Sequence, residues 1–146
     1  MTKPVPIAAT AEAAALSHLS FDKQAFTNLH WDVDLFALEA HRTIFKAMEV
    51  VHQRTGSCGG VATISELEST GRLESAGGRD GVLEIIKTIT AAPGAFNLAQ
   101  ADDYRQQLIR ARGYRKALKL VEAADYDMRW MRADLSDLAE QIDQAG

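Results

Sequence analysis

The sequence predicts an all-α protein, a compact globule of about six helices ending in a helical hairpin, and three observations carry that prediction. Apolar residues recur at spacings of three and four, as in Ile44, Phe45, Met48 and Val51. No segment of useful length alternates apolar with polar residues, and only Val50-Val51 and a few other β-branched residues favour strand. Capping residues, glycines and prolines stand where the helical patterns start and stop.

Residues 1–10, with Pro4 and Pro6, read as a flexible lead-in. Strong helix formers follow from Ala11 to Leu19, with Ala11, Ala15 and Leu19 on one face. Asp22 is placed to cap a short helix holding Phe26 and Leu29, and Glu39–Gln53 forms the clearest early helix. After the loop "TGSCGG", the tetrapeptide "TISE" at 63–66 has the form of a capping box, so a short helix is expected to start at Ile64 and stop at Gly71. Val82, Leu83, Ile86 and Ile89 mark another helix, broken at Ala92-Pro93 because a residue before proline avoids helical angles; "PGAFN" is a loop.

From Leu98 the pattern runs long. Tyr104, Leu108 and Ala111 share one stripe, and Ala117, Val121, Ala124, Met128 and Met131 continue at spacings of four and three. Gly113 weakens the middle, and Asp134 is placed to cap a last helix carrying Leu135, Leu138 and Ile142. The expected organisation is therefore a helical body over 11–114 and a hairpin over 115–146.

The 146 residues suit one domain that buries roughly 68–70% of its unfolded surface. A formal net charge of −4 argues against a protein devoted to non-specific binding of nucleic acid or anionic membrane. One cysteine, Cys58, excludes an internal disulfide framework and fits a reducing compartment. No apolar run approaches the ~20 residues of a membrane span, and the N-terminus lacks a basic segment followed by an apolar one. The expected setting is the cytoplasm.

Four glycines between residues 71 and 81, in "GRLESAGGRDGVLE", resemble a phosphate-cradling loop. Such a loop needs Gly-Lys-Ser/Thr to meet phosphate and magnesium, and that tripeptide occurs nowhere in the chain. The glycines read instead as a helix end and a corner. His18, His30, His41 and His52 lie eleven or twelve residues apart, whereas ligand pairs on a helix stand three or four apart, so structural or surface roles are expected. Cys58 reads as an ordinary loop thiol. No metal, cofactor or catalytic residue is expected.

Two surfaces remain. Between Arg105 and Lys119 there are six basic residues and no acidic one: Arg105, Arg110, Arg112, Arg115, Lys116 and Lys119. They form either a solvated helix face or a contact for a partner or DNA backbone. The apolar residues Met128, Trp130, Met131, Leu135, Leu138 and Ile142 exceed what two helices bury by themselves. They pack back on the domain's own core or meet a partner hairpin.

The segments "AEAAALSHL" (11–19), "HRTIFKAM" (41–48), "VATISELESTGRLESAGG" (61–78) and "AAPGAFNLAQADDYRQQLIRARGYRKAL" (91–118) occur in an order that resembles the N-terminal domain of the DnaB-type replicative DNA helicases. The likeness covers Ala11 to about Asp127. Departures are Ala13 where the family commonly has Gln, "CGGVAT" for Pro-Ile-Asp-Leu-Val-Thr, and Gly81 where Tyr is frequent. The resemblance implies a helical globule plus a hairpin that dimerises, with six copies forming a collar as three dimers that supports the helicase ring, receives primase and responds to loaders. On this chain the hairpin maps to about 115–142, with Ala124, Met128, Met131, Leu135, Leu138 and Ile142 as candidate dimer contacts. The motor that such helicases carry in a following ATPase domain is not in this sequence.

The expected function is thus a non-catalytic collar or scaffold domain in DNA replication, self-associating and docking primase or a helicase loader. One alternative is a standalone phage or plasmid factor that pairs with a host helicase and modulates it. Another is a nucleic-acid-binding module using the Arg105–Lys119 face.

Overall fold

A computed structural model describes residues 8–88 and 97–145, without the side chains of 133–139 and 141–145. Among the described residues there are six helices, α1 (Ala9–Phe21), α2 (Lys23–Asn28), α3 (Glu39–Thr55), α4 (Gly60–Ser69), α5 (Gly78–Ile86) and α6 (Leu98–Ala145), with a 3-10 turn at Val33–Leu35. No described residue is in a strand, so the all-α class holds. The described residues divide into two compact units, one ending at Arg112 and one starting at Gly113.

In the larger unit, α1 packs against both α3 and α5. Its expected face of Ala11, Ala15 and Leu19 is buried, and so are Leu16, Ser17 and His18 on other sides. Alanines at the contacts let neighbouring helices approach closely, and the Ser17 hydroxyl donates to the Ile86 carbonyl at the end of α5. The core of this unit joins Leu16 and Leu19 to Ile44, Phe45, Met48 and Val51 of α3 and to Val82 and Ile86 of α5. Each such side chain contributes about 1.5–3 kcal/mol by leaving water. Phe45 sits between two rings, Phe36 at 5.1 Å and Phe26 stacked at 5.8 Å between centroids.

Local chemistry sets most boundaries. Asp22 Oδ1 accepts the Gln24 N–H at 3.0 Å and caps α2 as the sequence predicts. α3 ends at Gly56, whose φ of +81° gives the left-handed cap that a side chain resists. The glycine-rich stretch is a corner: Gly71, Gly77 and Gly78 all have positive φ, and Gly77 is the N-cap of α5. The Arg72 N–H bonds the Leu67 carbonyl at 2.9 Å, closing the end of α4.

Two expectations are corrected. The "TISE" tetrapeptide is no capping box, because α4 starts at Gly60 with Gly59 as N-cap. Thr63 lies inside the helix, its hydroxyl donating to the Cys58 carbonyl at 3.3 Å, and Glu66 pairs with Arg54. Gly59 leads into α4 in ordinary extended backbone, and Gly60 passes so near Ile86 that an added Cβ would meet its Cδ1 at 3.1 Å. The hairpin over 115–146 is likewise replaced by one helix, α6, which continues through both Gly113 and Asp134. A single glycine costs a helix about 1 kcal/mol and an aspartate less, and no proline follows Pro93. Helix formers on either side outweigh both local signals. The lead-in over residues 1–7, Ile89, the Ala92-Pro93 break and most of the "PGAFN" loop lie outside the described residues.

Candidate functional site

α6 opens on Asn97, whose Oδ1 accepts the Gln100 N–H at 2.8 Å. Its first turns belong to the core of the larger unit through buried Ala101 and Leu108. Beyond Gly113 the helix changes character. Val121, Met128 and Met131 are 64%, 53% and 62% exposed, and Ala124 is exposed with them. Leu120, 72% exposed, lies beside the same stripe. Because α6 is one helix, Leu135, Leu138 and Ile142 continue the register of Ala117, Val121, Ala124, Met128 and Met131, so spacings of four and three alternate from 117 to 142. Alternation of four and three is the seam that a second helix covers in a coiled coil. The side chains of Leu135, Leu138 and Ile142 lie outside the described residues. Trp130 falls off the stripe and meets Tyr126 edge to face at 6.0 Å.

The basic run at 105–119 is drawn on by the larger unit itself. Arg105 donates from Nε to the His30 carbonyl and from Nη1 to Asp102 at 3.0 Å. Arg112 Nη1 lies 2.7 Å from Asp34 and 3.5 Å from Asp32. The contacts to His30, Asp32 and Asp34 fasten the start of α6 to the segment around the 3-10 turn, and the carboxylates neutralise two cations of the face. Exposed pairs of this kind contribute at most about 1 kcal/mol each. Arg115 is half-buried, while Arg110, Lys116 and Lys119 are exposed.

One buried polar cluster escaped the sequence reading. Glu12 is fully buried in α1, and its carboxylate accepts the N–H groups of Ala37 at 3.0 Å and Leu38 at 3.4 Å and meets His41 Nδ1 at 2.9 Å. Leu38 is the N-cap of α3 and offers no side-chain cap of its own. Glu12 therefore caps α3 from another helix, where a negative charge also suits the helix dipole. Arg42 completes the junction by donating from Nη1 to the carbonyls of Phe36 and Ala37. A glutamate at the second position of an alanine-rich stretch carries no local sign of such a role.

The four histidines occupy separate surroundings. His41 belongs to the Glu12 cluster, His52 stacks on Phe26 at 4.5 Å, exposed His30 lies 3.3 Å from Asp32, and buried His18 tilts against Tyr104 at 5.6 Å. Burial holds the His18 pKa below its ordinary value, with Asp22 opposing. Burial pushes the Cys58 thiol up to about 12, and that thiol donates to the Leu19 carbonyl at 3.0 Å. A thiol so protonated is a poor nucleophile. Among the described residues no three His, Cys, Asp or Glu side chains gather where one metal ion would reach them. Nor is any described helix long and apolar enough to cross a membrane.

Helices alone, a buried polar cluster that serves packing, and an exposed apolar stripe define an all-α domain rather than a nucleotide-binding α/β domain. The family model of the DnaB-like helicase N terminal domain matches residues 5–101, about two thirds of the sequence. The chain belongs to that family. The match spans α1–α5 and the first residues of α6, and the stripe lies beyond it. The fold is similar to the crystal structure of the N-terminal domain of DnaB helicase from Mycobacterium tuberculosis, with a TM-score of 0.68 at 22% identity, over 89% of this chain and 88% of that one. At that identity the likeness speaks for the fold alone. Among curated proteins there is no match.

Proposed function

We propose that this chain is a non-catalytic scaffold domain of the replication machinery that self-associates through α6 and docks primase or a helicase loader. The exposed stripe carries the reading. A run of large apolar side chains at coiled-coil spacing, left in water, is unfavourable by about 25 cal/mol for each Å² that a partner would cover. Ala117, Val121, Ala124, Met128 and Met131 form its described part, and Leu135, Leu138 and Ile142 extend it in register. A second copy presents the same seam, so a two-fold pair covers both at once. Membership in a helicase N-terminal domain family supplies the setting. Direct DNA binding is the weaker alternative, because Arg105 and Arg112 are already paired within the chain.

Co-expression of two differently tagged copies tests the self-association. Each tag is expected to recover the other, and Met131→Asp is expected to abolish recovery while helix content stays unchanged. Recovery of one tag alone from the unsubstituted chain would contradict the proposal. Co-elution with primase or a loader from the same cell tests docking, and loss of neither on Met131→Asp would place docking away from the stripe.

A further inference from the structure

A groove runs along α3, beside α4, which packs against it, and beside the turn that leaves α4. One wall is a single face of α3, where Glu39, Arg42, Thr43, Lys46 and Val50 follow at spacings of three, one, three and four. The other wall comes from the end of α4 and the turn after it. The wider hollow, about 300 Å³, is lined by Glu39, Arg42, Thr43, Lys46, Arg72 and Ser75. A second hollow of about 170 Å³ shares Thr43, Lys46 and Arg72 with it and adds Ala47, Val50 and Leu67, with Glu66 and Thr70 at its edge. Shared walls make the two one continuous groove, cationic at one end and apolar at the other.

We propose that this groove docks an acidic amphipathic segment of a partner protein. The cationic end holds three basic side chains against one carboxylate, Glu39, in a chain whose net charge is −4. Lys46 and Arg72 are exposed and make no side-chain hydrogen bond or ion pair among the described residues. Arg42 is pinned by Nη1 to the Phe36 and Ala37 carbonyls, which fixes its guanidinium while leaving other donors for a carboxylate. Glu66, the second acid of the groove, lies 3.2 Å from Arg54 and is already neutralised. At the other end Leu67 and Ala47 form a buried floor, and Val50, 44% exposed, is the side chain an apolar anchor would cover.

The spacing states what fits. Arg42 and Val50 are eight residues apart on α3, or about 12 Å at 1.5 Å per residue. A helix with carboxylates on one turn and a leucine two turns on, along the same face, meets both ends together. A nucleic acid strand would leave the apolar end unused, and no aromatic side chain lines the groove for bases to stack on. A lone phosphate would span only the cationic end.

The proposal rests on reading the chain as a partner-docking domain, and its test is separable from that of the α6 stripe. The ¹⁵N-labelled chain is titrated with a synthetic helical peptide of about four turns bearing that glutamate and leucine pattern. Amide shifts are expected within 39–50 and 66–75. The doubly substituted Lys46→Glu, Arg72→Glu chain is expected to bind about tenfold more weakly, as is a peptide with Gln for Glu. Met128→Asp is expected to leave the titration unchanged whether or not it abolishes self-association. Equal binding by the doubly substituted chain or by the Gln peptide, or no shifts in those segments, would overturn the proposal. Stronger shifts of the same amides by a short oligothymidylate would make the groove a nucleic-acid surface instead, and shifts on concentrating the chain without peptide would assign it to a second copy.

Discussion

Glu12 joins α1 to the start of α3 through two backbone N–H groups and His41, with no exposure to water. Removing one member of a buried charged cluster leaves the others unpaired, which costs more than the cluster itself contributes. Glu12→Gln keeps the shape but loses acceptor strength. It is expected to lower unfolding free energy by about 2–4 kcal/mol in urea titrations; a change within experimental error would remove Glu12 from its capping role. His18 sets a pH dependence with a definite sign. Its folded pKa lies below the ordinary 6.5, so the unfolded chain takes up the proton first and stability falls as pH drops below about 6.5. Between about pH 7.5 and pH 5.5, His18→Gln is expected to lose less stability than the unsubstituted chain; identical slopes would argue against it. Cys58, held protonated by burial, is expected to react with a thiol reagent only as fast as the chain opens. Burst labelling of the native protein would contradict that placement.

Elements were legible in the sequence to the extent that local signals and tertiary packing agreed. The apolar spacing of α1 and α3, the Asp22 cap and the glycine corner all stand in the structure where the residues put them. The "TISE" signature failed because Thr63 found a carbonyl of its own, that of Cys58, within a helix that already begins at Gly60. The hairpin failed because Gly113 and Asp134 are single weak breakers in a long run of helix formers. Paired substitutions separate these cases. Gly77, at φ +104°, is expected to lose about 1–2 kcal/mol on Gly77→Ala. Gly113 has open space where a Cβ would stand, so Gly113→Ala is expected to raise helix content and stabilise by about 0.5–1 kcal/mol. Destabilisation by Gly113→Ala would mean that α6 turns there.

At the scale of the whole molecule, the fold and family were readable because they lie in the order of whole segments, whereas the groove was not. Its walls come from 39–50 and 66–75, and no spacing within either half announces the other. Glu12 was hidden for the same reason, its partners lying 25 to 29 residues away. The α6 seam is visible as spacing in the sequence, yet its continuity from 117 to 142 emerges only when the helix is one piece. The proposed self-association rests on that continuity. Light scattering across a concentration series measures it most directly. The expected particle mass is twice the chain mass of 15.9 kDa, or a multiple of that pair, falling to the single-chain value in Met128→Asp. A single-chain mass for the unsubstituted protein at about 100 µM, unaltered by Met128→Asp, would contradict self-association through α6.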